Sequence, residues 1–358
     1  MKKVIIGMSG GVDSSVAALL LQQQGFDVHG VFMKNWDDEN PEPTYRKKTR
    51  NECPWEQDFA DMRAVCHQLD IPYTTFNFTK EYRELVFNEF LHELQVGRTP
   101  NPDILCNQEI KFRLFFNKAL GMTGAGYVAT GHYAAIKNHQ LCRPRDQAKD
   151  QTYFLYRIDP HILSRILFPL QDLTKQEVRT IAHKAGLATA QKKDSTGICF
   201  IGNIRYSDFI QTYLPKKPGI IETTNGKIVG EHDGLHLYTI GQRHGIHIGG
   251  TGPYYVTQKD IKRNVLIVTN NAHDPQLYQT VCIVHKLHWL GAITLPIQCS
   301  VQVRYRQEPQ QAIIQAHTAD TVQVVFSHPQ RAVTAGQSAV FYQKYVMLGG
   351  GYIQSATE

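Results

Sequence analysis

The sequence predicts an α/β fold: a parallel sheet with helices on both faces, then a small, mainly β central domain and a C-terminal β-barrel. Two observations predict this order. Short apolar strands alternate with helices through the first 133 residues, which is typical of a parallel sheet covered on both faces. From about residue 215 the apolar pattern has a period of two, which indicates half-buried strands. With 358 residues, the chain is long enough for two or three cores.

The first part of the chain supplies the predicted parallel sheet. Its apolar strands are expected at residues 4–8, 28–33, 72–78 and 127–133. The helices between them are expected at residues 14–24, 54–69, 80–96 and 107–120. Gly25 suits the end of the first helix, and Pro54 suits the first position of the second. A further helix is expected to begin at Thr174, because Thr174 and Glu177 form a Thr-x-x-Glu capping box.

The second part of the chain is predicted to be almost wholly β. Asn225-Gly226 lies between two alternating runs and is a strong hairpin signal. Strands of the central domain are expected near 235–240, 253–257 and 264–269. The later strands, which suggest a small barrel, are expected at 281–290, 297–305, 311–317, 321–326 and 338–347. We therefore predict three domains, over residues 1–204, 205–275 and 276–358.

Charge and the N-terminal segment limit the partners and the compartment. The chain has 38 Lys and Arg against 32 Asp and Glu, a net charge of +6. This excess is compatible with a polyanion such as nucleic acid but does not identify one. No apolar run approaches the ~20 residues that span a bilayer, and the apolar start is too short for a signal peptide. We expect a cytoplasmic protein without a membrane partner, and we predict a monomer.

A seven-residue string between the first strand and the first helix predicts a phosphate site. It reads Ser9-Gly10-Gly11-Val12-Asp13-Ser14-Ser15. Adjacent glycines let the backbone approach a ligand, and a helix start adds N–H donors that bind phosphate. Asp13 is a candidate to hold the Mg²⁺ that accompanies a nucleotide. The string is neither a Walker A loop nor a dinucleotide fingerprint, and an ordinary capped helix is the alternative interpretation.

The seven cysteines include no Cys-x-x-Cys pair, so we predict neither a structural zinc site nor an iron–sulfur cluster. No metal site fixed by the protein alone is expected. Cys66, Cys282 and Cys299 are interpreted as buried core residues. Cys53 and Cys142 are expected in loops, where nothing nearby suggests a task.

Two other cysteines are candidates for chemistry. Cys106 follows the turn-rich Arg98–Asp103 segment and is expected just before a helix, where the helix dipole favours a thiolate. Asp103, three residues earlier, is placed to exchange a proton nearby. Cys199 follows a Ser-Thr-Gly turn, an exposed setting that a protein partner can reach.

Two resemblances join these signals. The Ser-Gly-Gly-x-Asp-Ser string resembles the pyrophosphatase-loop ATPases, which adenylate a substrate oxygen. The wider set of motifs resembles the bacterial-type tRNA-specific 2-thiouridylases along nearly the whole chain. These motifs are Gly-Met-Ser-Gly-Gly-Val-Asp-Ser at 7–14, Phe-Met-Lys-Asn-Trp at 32–36, Arg-Thr-Pro-Asn-Pro-Asp-Ile-Leu-Cys-Asn at 98–107, Ala-Thr-Gly-His-Tyr at 129–133, Lys-Asp-Gln at 149–151, Asp-Ser-Thr-Gly-Ile-Cys-Phe-Ile-Gly at 194–202, Gly-Gln-Arg at 241–243, Val-Arg-Tyr-Arg-Gln at 303–307, Gly-Gln-Ser-Ala-Val-Phe-Tyr at 336–342 and Leu-Gly-Gly-Gly at 348–351.

The second resemblance implies a role for each matching residue. It implies an adenine-nucleotide hydrolase-like first domain in which ATP is held by Gly7, Met8, Ser9, Gly10, Gly11, Val12, Asp13, Ser14, Met33 and Gly131. Contacts to the target base are implied for Asn101, Pro102 and Asp103, with Asp103 as acid/base. Contacts to tRNA are implied for Lys149, Asp150, Gln151, Arg304 and Tyr305.

The same resemblance implies a reaction. ATP, with Mg²⁺, would adenylate the C2 oxygen of the wobble uridine, and sulfur would arrive from a relay protein as a persulfide on Cys199. The persulfide attacks C2 directly, or Cys106 first releases sulfide from it. Either route ends in a transient Cys106–Cys199 disulfide. One alternative is another adenylating synthetase or amidotransferase, which would not need two loop cysteines. The other is a non-catalytic sulfur relay or tRNA-binding protein, which would not need a phosphate loop.

Overall fold

We describe the fold from a computed structural model, which covers residues 2–36, 54–194, 206–246, 248–250 and 252–355. The described residues fall into two compact units. The first unit draws on residues 1–87, 102–204 and 345–347, and the second on 88–101, 205–344 and 348–358. The three predicted domain boundaries stay a prediction, since residues 88–101 group with the second unit.

The first unit contains the predicted alternation of strands and helices. Its strands are β1 (Lys3–Gly7), β2 (Asp27–Lys34), β3 (Tyr73–Asn77), β4 (Ala125–Thr130), β5 (Ala135–Lys137), β6 (Gln140–Cys142) and β7 (Ile166–Leu167). Its α-helices are α1 (Val12–Gln23), α2 (Pro54–Gln68), α3 (Thr79–Tyr82), α4 (Pro102–Leu105), α5 (Phe116–Leu120) and α6 (Lys175–Lys184). It also has two π-helices, π1 (Arg83–Phe87) and π2 (Cys106–Phe115), and 3₁₀ turns at Gln147–Lys149, Thr152–Phe154 and Pro160–Arg165.

Five of these strands form one parallel sheet in the order β3-β2-β1-β4-β7. Strand β1 is paired on both sides, with Gly7 opposite Val31 of β2 and Thr130 of β4. The chain therefore leaves β1 towards one side of the sheet and returns towards the other, which makes β1 the topological switch point. In open sheets of this kind, ligands bind beyond the carboxyl ends of the strands at that point.

Both faces of the sheet are covered. Val4 and Ile6 of β1 pack in one cluster with residues of α1, α2 and α6. Ile5 points to the opposite face because side chains alternate along a strand, and it is also fully buried. On that second side, Phe115 of π2 lies against Phe76 of β3, with ring centroids 6.3 Å apart. The predicted fold class is confirmed here.

Helix bounds follow the predictions with shifts of a few residues. The capping box at Thr174 is present, since its side chain accepts from the Glu177 N–H while Glu177 accepts from the Thr174 N–H. The helix expected from residue 107 instead begins at Pro102, because Pro suits a first helical turn. Cys142 was expected in a loop but is the buried last residue of β6. Within the described residues, no helix has the length and apolar character needed to cross a membrane.

The central part of the second unit is a four-stranded sheet in the order β10-β11-β8-β9. The strands are β8 (Gly219–Thr223), β9 (Ile228–His232), β10 (Tyr255–Asp260) and β11 (Val265–Thr269). The Asn225-Gly226 hairpin prediction is confirmed, because β8 and β9 pair antiparallel around it. The strand predicted at 235–240 is wrong. Gly234 has φ +154° and accepts from the Leu237 N–H, so the chain forms a 3₁₀ turn at Leu235–Leu237.

The last part of the second unit is a closed six-stranded barrel in the order β12-β15-β14-β13-β16-β17, with β12 also paired to β17. The strands are β12 (Tyr278–Trp289), β13 (Ile297–Gln302), β14 (Gln310–Ala316), β15 (Val322–Arg331), β16 (Ser338–Gln343) and β17 (Val346–Ser355). The single strand predicted at 338–347 is wrong, because Lys344 adopts φ +57° and turns the chain into two strands. The unit also holds helices at Asn88–Gln95 and Tyr206–Gln211 and a 3₁₀ turn at Pro275–Leu277.

Candidate functional site

The loop after β1 has a backbone that only glycine can adopt at its tightest point. Gly10 has φ +73°, and a Cβ there would lie 2.1 Å from the main-chain oxygen of Asp58. Both the left-handed conformation and the close approach exclude a side chain. The loop is therefore pressed against α2, and its shape is fixed by backbone contact.

The start of α1 has open N–H donors. Its N-cap is Gly11, which makes no side-chain capping hydrogen bond. The Ser14 hydroxyl donates to the Gly11 carbonyl at 3.1 Å and accepts from the Ser9 N–H at 3.2 Å, while the Ser15 hydroxyl donates to Gly11 at 2.8 Å. These serines brace the loop, and the first-turn N–H groups are left to bind an anion.

Gly131, Gly7 and Met33 complete the rim at the carboxyl ends of β4, β1 and β2. A Cβ on Gly131 would lie 2.7 Å from the Ser14 nitrogen, so any side chain there would cover that N–H. A Cβ on Gly7 would lie 3.1 Å from the Met33 methyl carbon. The structure thus brings together Met33, Gly131 and the predicted phosphate loop, by which we mean residues 9–15.

Asp13 belongs to an ion-pair network that the sequence did not suggest. Both of its carboxylate oxygens accept from the Lys175 ammonium at 2.8 Å, and one accepts from the Tyr133 hydroxyl at 3.0 Å. Lys175 also contacts Asp194 at 2.8 Å, and its side chain is 13% exposed. Lys149 and Arg179 contact the same Asp194 carboxylate at 2.8 and 2.6 Å.

The network fixes which of its members carry charge. Burial raises the pKa of Asp194, but hydrogen bonds from Lys149 and Lys175 outweigh it and lower the pKa to about 2. Burial and then the Asp13 charge raise the pKa of Tyr133, so its hydroxyl stays a neutral donor. Asp194 is therefore an anion at neutral pH, held by three cations at one end of the loop.

A fourth cation, Lys192, holds the other end of the loop. The Lys192 ammonium donates to the Gly10 carbonyl at 3.1 Å and to Asp58 at 2.7 Å, and it also contacts Asp61. Burial lowers the pKa of Lys192, but the hydrogen bonds that it donates to Asp58 and Asp61 outweigh burial and raise it. Lys192 therefore ties the loop carbonyl to two carboxylates of α2.

Cys106 lies inside a helix, which corrects the prediction that it precedes one. It is the first residue of π2, directly after α4, and it is 1% exposed. Burial raises the pKa of its thiol to about 11, with Lys111 opposing the shift and Asp103 adding to it. The expected thiolate-favouring helix start is therefore outweighed by enclosure in the core.

A short polar chain runs from the Cys106 helix to the end of β4. The Lys111 ammonium lies 3.4 Å from Nε2 of His132, and Nδ1 of His132 lies 2.8 Å from the Thr130 hydroxyl. Burial and the Lys111 charge lower the pKa of His132 well below its usual value. The imidazole is therefore neutral, with Nε2 accepting from Lys111 and Nδ1–H donating to Thr130.

The predicted tRNA contacts at 149–151 have partners within the first unit. Lys149 pairs with Asp194, and Asp150 pairs with Arg143 at 2.5 Å. The Gln151 side chain accepts from the Tyr133 N–H at 2.8 Å. These contacts brace the rim of the phosphate loop, and a tRNA contact at these residues stays a prediction.

Three other predicted contacts lie in the second unit. Arg304 and Tyr305 are half-buried in the connection between β13 and β14, where the Arg306 guanidinium stacks 5.5 Å from the Tyr305 ring. Asn101 is also half-buried. Arg304, Tyr305 and Asn101 thus belong to the second unit. In contrast, Pro102, Asp103 and Cys106 belong to the first unit. Cys199 and Cys53 lie outside the described residues.

Sequence reasoning missed the residues that form the hydrogen bonds and ion pairs around the loop: Asp58, Asp61, Tyr133, Lys175, Arg179, Lys192 and Asp194. Two of them had a usable signal, because Tyr133 and Asp194 fall inside the quoted motifs. Cys66, Cys282 and Cys299 are buried as predicted. Among the described residues, no group of His, Cys, Asp or Glu could hold a metal ion.

Three family models match the chain in order. They are a tRNA methyl transferase HUP domain over residues 2–203, a tRNA methyl transferase PRC-barrel domain over 207–270 and an aminomethyltransferase β-barrel domain over 279–353. Together they match most of the chain. Their order agrees with an α/β part followed by two β-rich parts.

Curated relatives match over nearly the full length. The tRNA-specific 2-thiouridylase MnmA of Halalkalibacterium halodurans is 49% identical, covering 98% of this chain and 94% of the relative. The enzyme of the same name from Vibrio cholerae is 50% identical, covering 99% and 96%. Among solved structures, an NMN synthetase from Francisella tularensis is 17% identical with a TM-score of 0.33, covering 59% of this chain and 76% of that one.

Proposed function

The chain belongs to the tRNA-specific 2-thiouridylase family, and we propose that it is an ATP-dependent sulfurtransferase acting on a tRNA uridine. The target is the wobble uridine of the anticodon, and the products are 2-thiouridine, AMP and pyrophosphate. One observation carries the proposal: a glycine-containing loop with an open helix start and an enclosed cysteine belong to the same compact unit.

The phosphate loop supports the activation step. The C2 oxygen of uracil is a poor leaving group, and attaching AMP to it makes it a good one. In this proposal the N–H groups at the start of α1 hold the phosphates that leave as pyrophosphate. Gly131 leaves the Ser14 N–H uncovered, and Met33, with Gly7, lines the adenine side of the rim.

Mg²⁺ does not fit the described residues as a resident metal. Both oxygens of Asp13 are engaged by Lys175, so a metal ion at Asp13 would have to displace an ammonium. We propose that Mg²⁺ enters with ATP, held mainly by phosphate oxygens and water.

Sulfur transfer uses the two candidate cysteines. Cys199 accepts sulfur from a relay protein as a persulfide. In one route its terminal sulfur attacks C2, AMP leaves, and the Cys106 thiolate then attacks the Cys199 sulfur to free the thiouridine. In the other route the Cys106 thiolate attacks the Cys199 sulfur first and releases hydrosulfide, which attacks C2. Both routes form a Cys106–Cys199 disulfide, which a thiol must reduce before the next cycle.

The remaining assignments concern the tRNA. Asn101, Pro102 and Asp103 are proposed to meet the target base, which must leave its stack, with Asp103 exchanging the proton. Lys149, Asp150, Gln151, Arg304 and Tyr305 are proposed as further tRNA contacts. The partners are tRNA and the sulfur-relay protein. We also propose that the protein acts as a cytoplasmic monomer.

Two activities test this function separately. Pyrophosphate release is measured with radiolabelled ATP and an unmodified tRNA transcript. Formation of 2-thiouridine is measured by mass spectrometry of nucleosides after a persulfide-loaded donor protein has been added. We expect Asp13→Ala to lose both activities, by about 100-fold or more. Cys199→Ser and Cys106→Ala should keep tRNA-dependent pyrophosphate release and lose 2-thiouridine formation, while Cys66→Ala should keep both.

The result that contradicts the proposal is equally clear. Wild-type protein that releases no pyrophosphate in response to tRNA is not an adenylating enzyme. If the Cys199→Ser variant still makes 2-thiouridine from the donor protein at the wild-type rate, Cys199 does not carry the sulfur.

A further inference from the structure

A turn of the barrel lies against the segment that carries Asn101. The turn joins β15 to β16 over residues 332–337, and we call it the barrel turn. Residues 98–101, the base segment, belong to the same compact unit. The Thr99 N–H donates to the Ala335 carbonyl at 3.0 Å, and the Gln337 side-chain amide donates to the Thr99 carbonyl at 2.7 Å. Both polar groups of the Thr99 backbone are therefore bonded to the barrel turn.

Gly336 allows the barrel turn to approach the main chain of the base segment. Its φ is +89°, and an added Cβ would lie 2.8 Å from the Thr99 nitrogen and 2.9 Å from the Arg98 Cβ. These atoms belong to the main chain and to a Cβ, so they cannot move aside as the end of a long side chain can. The contact therefore requires glycine at this position, and a side chain there would push the base segment away.

The barrel turn is anchored to the strand beside it. The Gly336 N–H donates to the Ile353 carbonyl at 2.9 Å, and the Ile353 N–H donates to the Gln337 carbonyl at 2.8 Å. Ile353 belongs to β17 and is fully buried, and Gln337 is 8% exposed. The Thr334 hydroxyl also donates to the Ala332 carbonyl at 2.8 Å. The barrel turn is therefore a fixed support for the base segment.

The base segment is stiff enough to pass on a displacement. It reads Arg98-Thr99-Pro100-Asn101, and Pro102 follows. Proline fixes its own φ and favours an extended conformation in the residue before it, so Thr99 and Asn101 are both restricted. Two extended residues reach at most about 7 Å, so Asn101 lies close to the hydrogen bonds at Thr99. A shift of Thr99 therefore shifts Asn101.

We propose that the barrel turn positions Asn101 for its contact with the target base, with Gly336 as the positioning residue. The inference deepens the proposed function, on which the contact between Asn101 and the base rests. Transfer of AMP requires the C2 oxygen of the base to lie within reach of the α-phosphate of ATP, so a misplaced base slows adenylation even when ATP is correctly bound. Gly336 thus acts through Asn101 on the rate of adenylation and not on the binding of ATP.

The main test is Gly336→Ala in the full chain with an unmodified tRNA transcript. Pyrophosphate release is followed while ATP and tRNA are varied in turn. A shift of roughly half an ångström in the base segment should lower kcat by about tenfold. The KM for ATP and the Kd for tRNA, the latter from filter binding, should stay within about twofold of wild type, because the phosphate loop and the other tRNA contacts are unchanged.

Gly226→Ala is the matched control for backbone strain. Gly226 also belongs to the second unit and has φ +83°, but no atom lies within 4 Å of its added Cβ. It carries the strain of a positive φ without displacing the base segment, so its kcat should stay within about twofold of wild type. A kcat loss in Gly226→Ala as large as that in Gly336→Ala overturns the proposal.

A second pair of variants tests the side-chain hydrogen bond to Thr99. Gln337→Leu removes the donor and should lower kcat by about threefold, again with the KM for ATP unchanged. Gln330→Leu is its control, because Gln330 is 5% exposed and donates to the His328 carbonyl at 2.8 Å, so its kcat should match wild type. Near-UV circular dichroism reports whether each variant is folded, and this pair decides the question if Gly336→Ala is not.

Hydrogen–deuterium exchange tests the contact without tRNA or ATP. The Thr99 N–H is bonded to Ala335, so the peptide that contains Thr99 should exchange faster in Gly336→Ala and at the wild-type rate in Gly226→Ala. Unchanged exchange in Gly336→Ala overturns the proposal, as does a loss that appears in the KM for ATP or the Kd for tRNA and not in kcat. Wild-type protein that releases no pyrophosphate with tRNA contradicts the proposed function, whereas wild-type and Gly336→Ala proteins of equal activity contradict only the role of the barrel turn.

Discussion

The phosphate loop and the Cys106 helix belong to the same compact unit, but they treat charge in opposite ways. Around the loop, carboxylates contact ammonium and guanidinium groups at 2.6 to 2.8 Å, and the pKa of Asp194 is lowered to about 2. Around Cys106, burial dominates and raises the thiol pKa to about 11. The surroundings of the loop stabilise the charged form of Asp194, whereas the surroundings of Cys106 stabilise its neutral thiol.

The difference follows from what each region must hold. A triphosphate arrives fully charged, so its site needs donors and cations that are already oriented. A sulfur nucleophile is safer as a thiol until it is used, because exposed thiolates are oxidised readily. Enclosure of Cys106, which is 1% exposed, provides that restraint. The variants below test the phosphate loop.

Gly10→Ala should have an effect about as large as that of Asp13→Ala. A Cβ would lie 2.1 Å from the Asp58 carbonyl oxygen, and the φ of +73° adds strain of about 1 kcal/mol. The loop would have to shift by roughly an ångström, and such displacements cost about 100-fold in rate. Pyrophosphate release in the presence of tRNA measures the loss.

Gly25→Ala is the matched control for that substitution. Gly25 has φ +82°, but no atom lies within 4 Å of its added Cβ. It therefore carries the conformational strain without the clash, and its activity should stay within about twofold of wild type. An equal loss of activity in both variants would mean that the strain of a positive φ, and not the contact of Gly10 with α2, causes the loss.

The phosphate loop could be predicted from sequence because its geometry is local. The strand, Gly10, Gly11 and the helix start occupy adjacent positions, and each has one physical role. Its charged partners could not be predicted in the same way. Lys175 lies 162 residues from Asp13, and Lys192 lies 182 residues from Gly10, so only the folded sheet brings them together.

The state of Cys106 could not be predicted for a related reason. The apolar pattern that follows Cys106 correctly indicated a helix, but local sequence carries no signal for π winding. Burial of Phe112 and Phe115 in the same helix reflects packing against the sheet, which is a tertiary effect. The predicted dipole argument described an exposed helix start and was outweighed by burial.

Lys192→Met should have an intermediate effect on the loop. The Lys192 side chain, 26% exposed, bridges Asp58, Asp61 and the Gly10 carbonyl. Removing it leaves two carboxylates beside the loop, which repel phosphate, so the KM for ATP should rise by about tenfold with a smaller change in kcat. Lys184→Met, at the exposed end of α6, is the control. A kcat loss with unchanged KM would show that Lys192 does not act through phosphate binding.

The smallest expected effect concerns stability, at Asp194. Its pKa is lowered in the folded chain to about 2 from an ordinary 3.8, so its ion pairs stabilise the fold above about pH 4. That contribution is lost as the pH falls from about 4 towards 2, because the carboxylate then takes up a proton. Asp194→Asn should therefore lower the melting temperature by about 2–4 °C at pH 7 and by less as the pH approaches 3. Asp172→Asn, at an exposed residue, is the control in the same thermal scans. A deficit in Asp194→Asn that is equally large at pH 7 and pH 3 would mean that the carboxylate stabilises the loop through its shape and not through its charge.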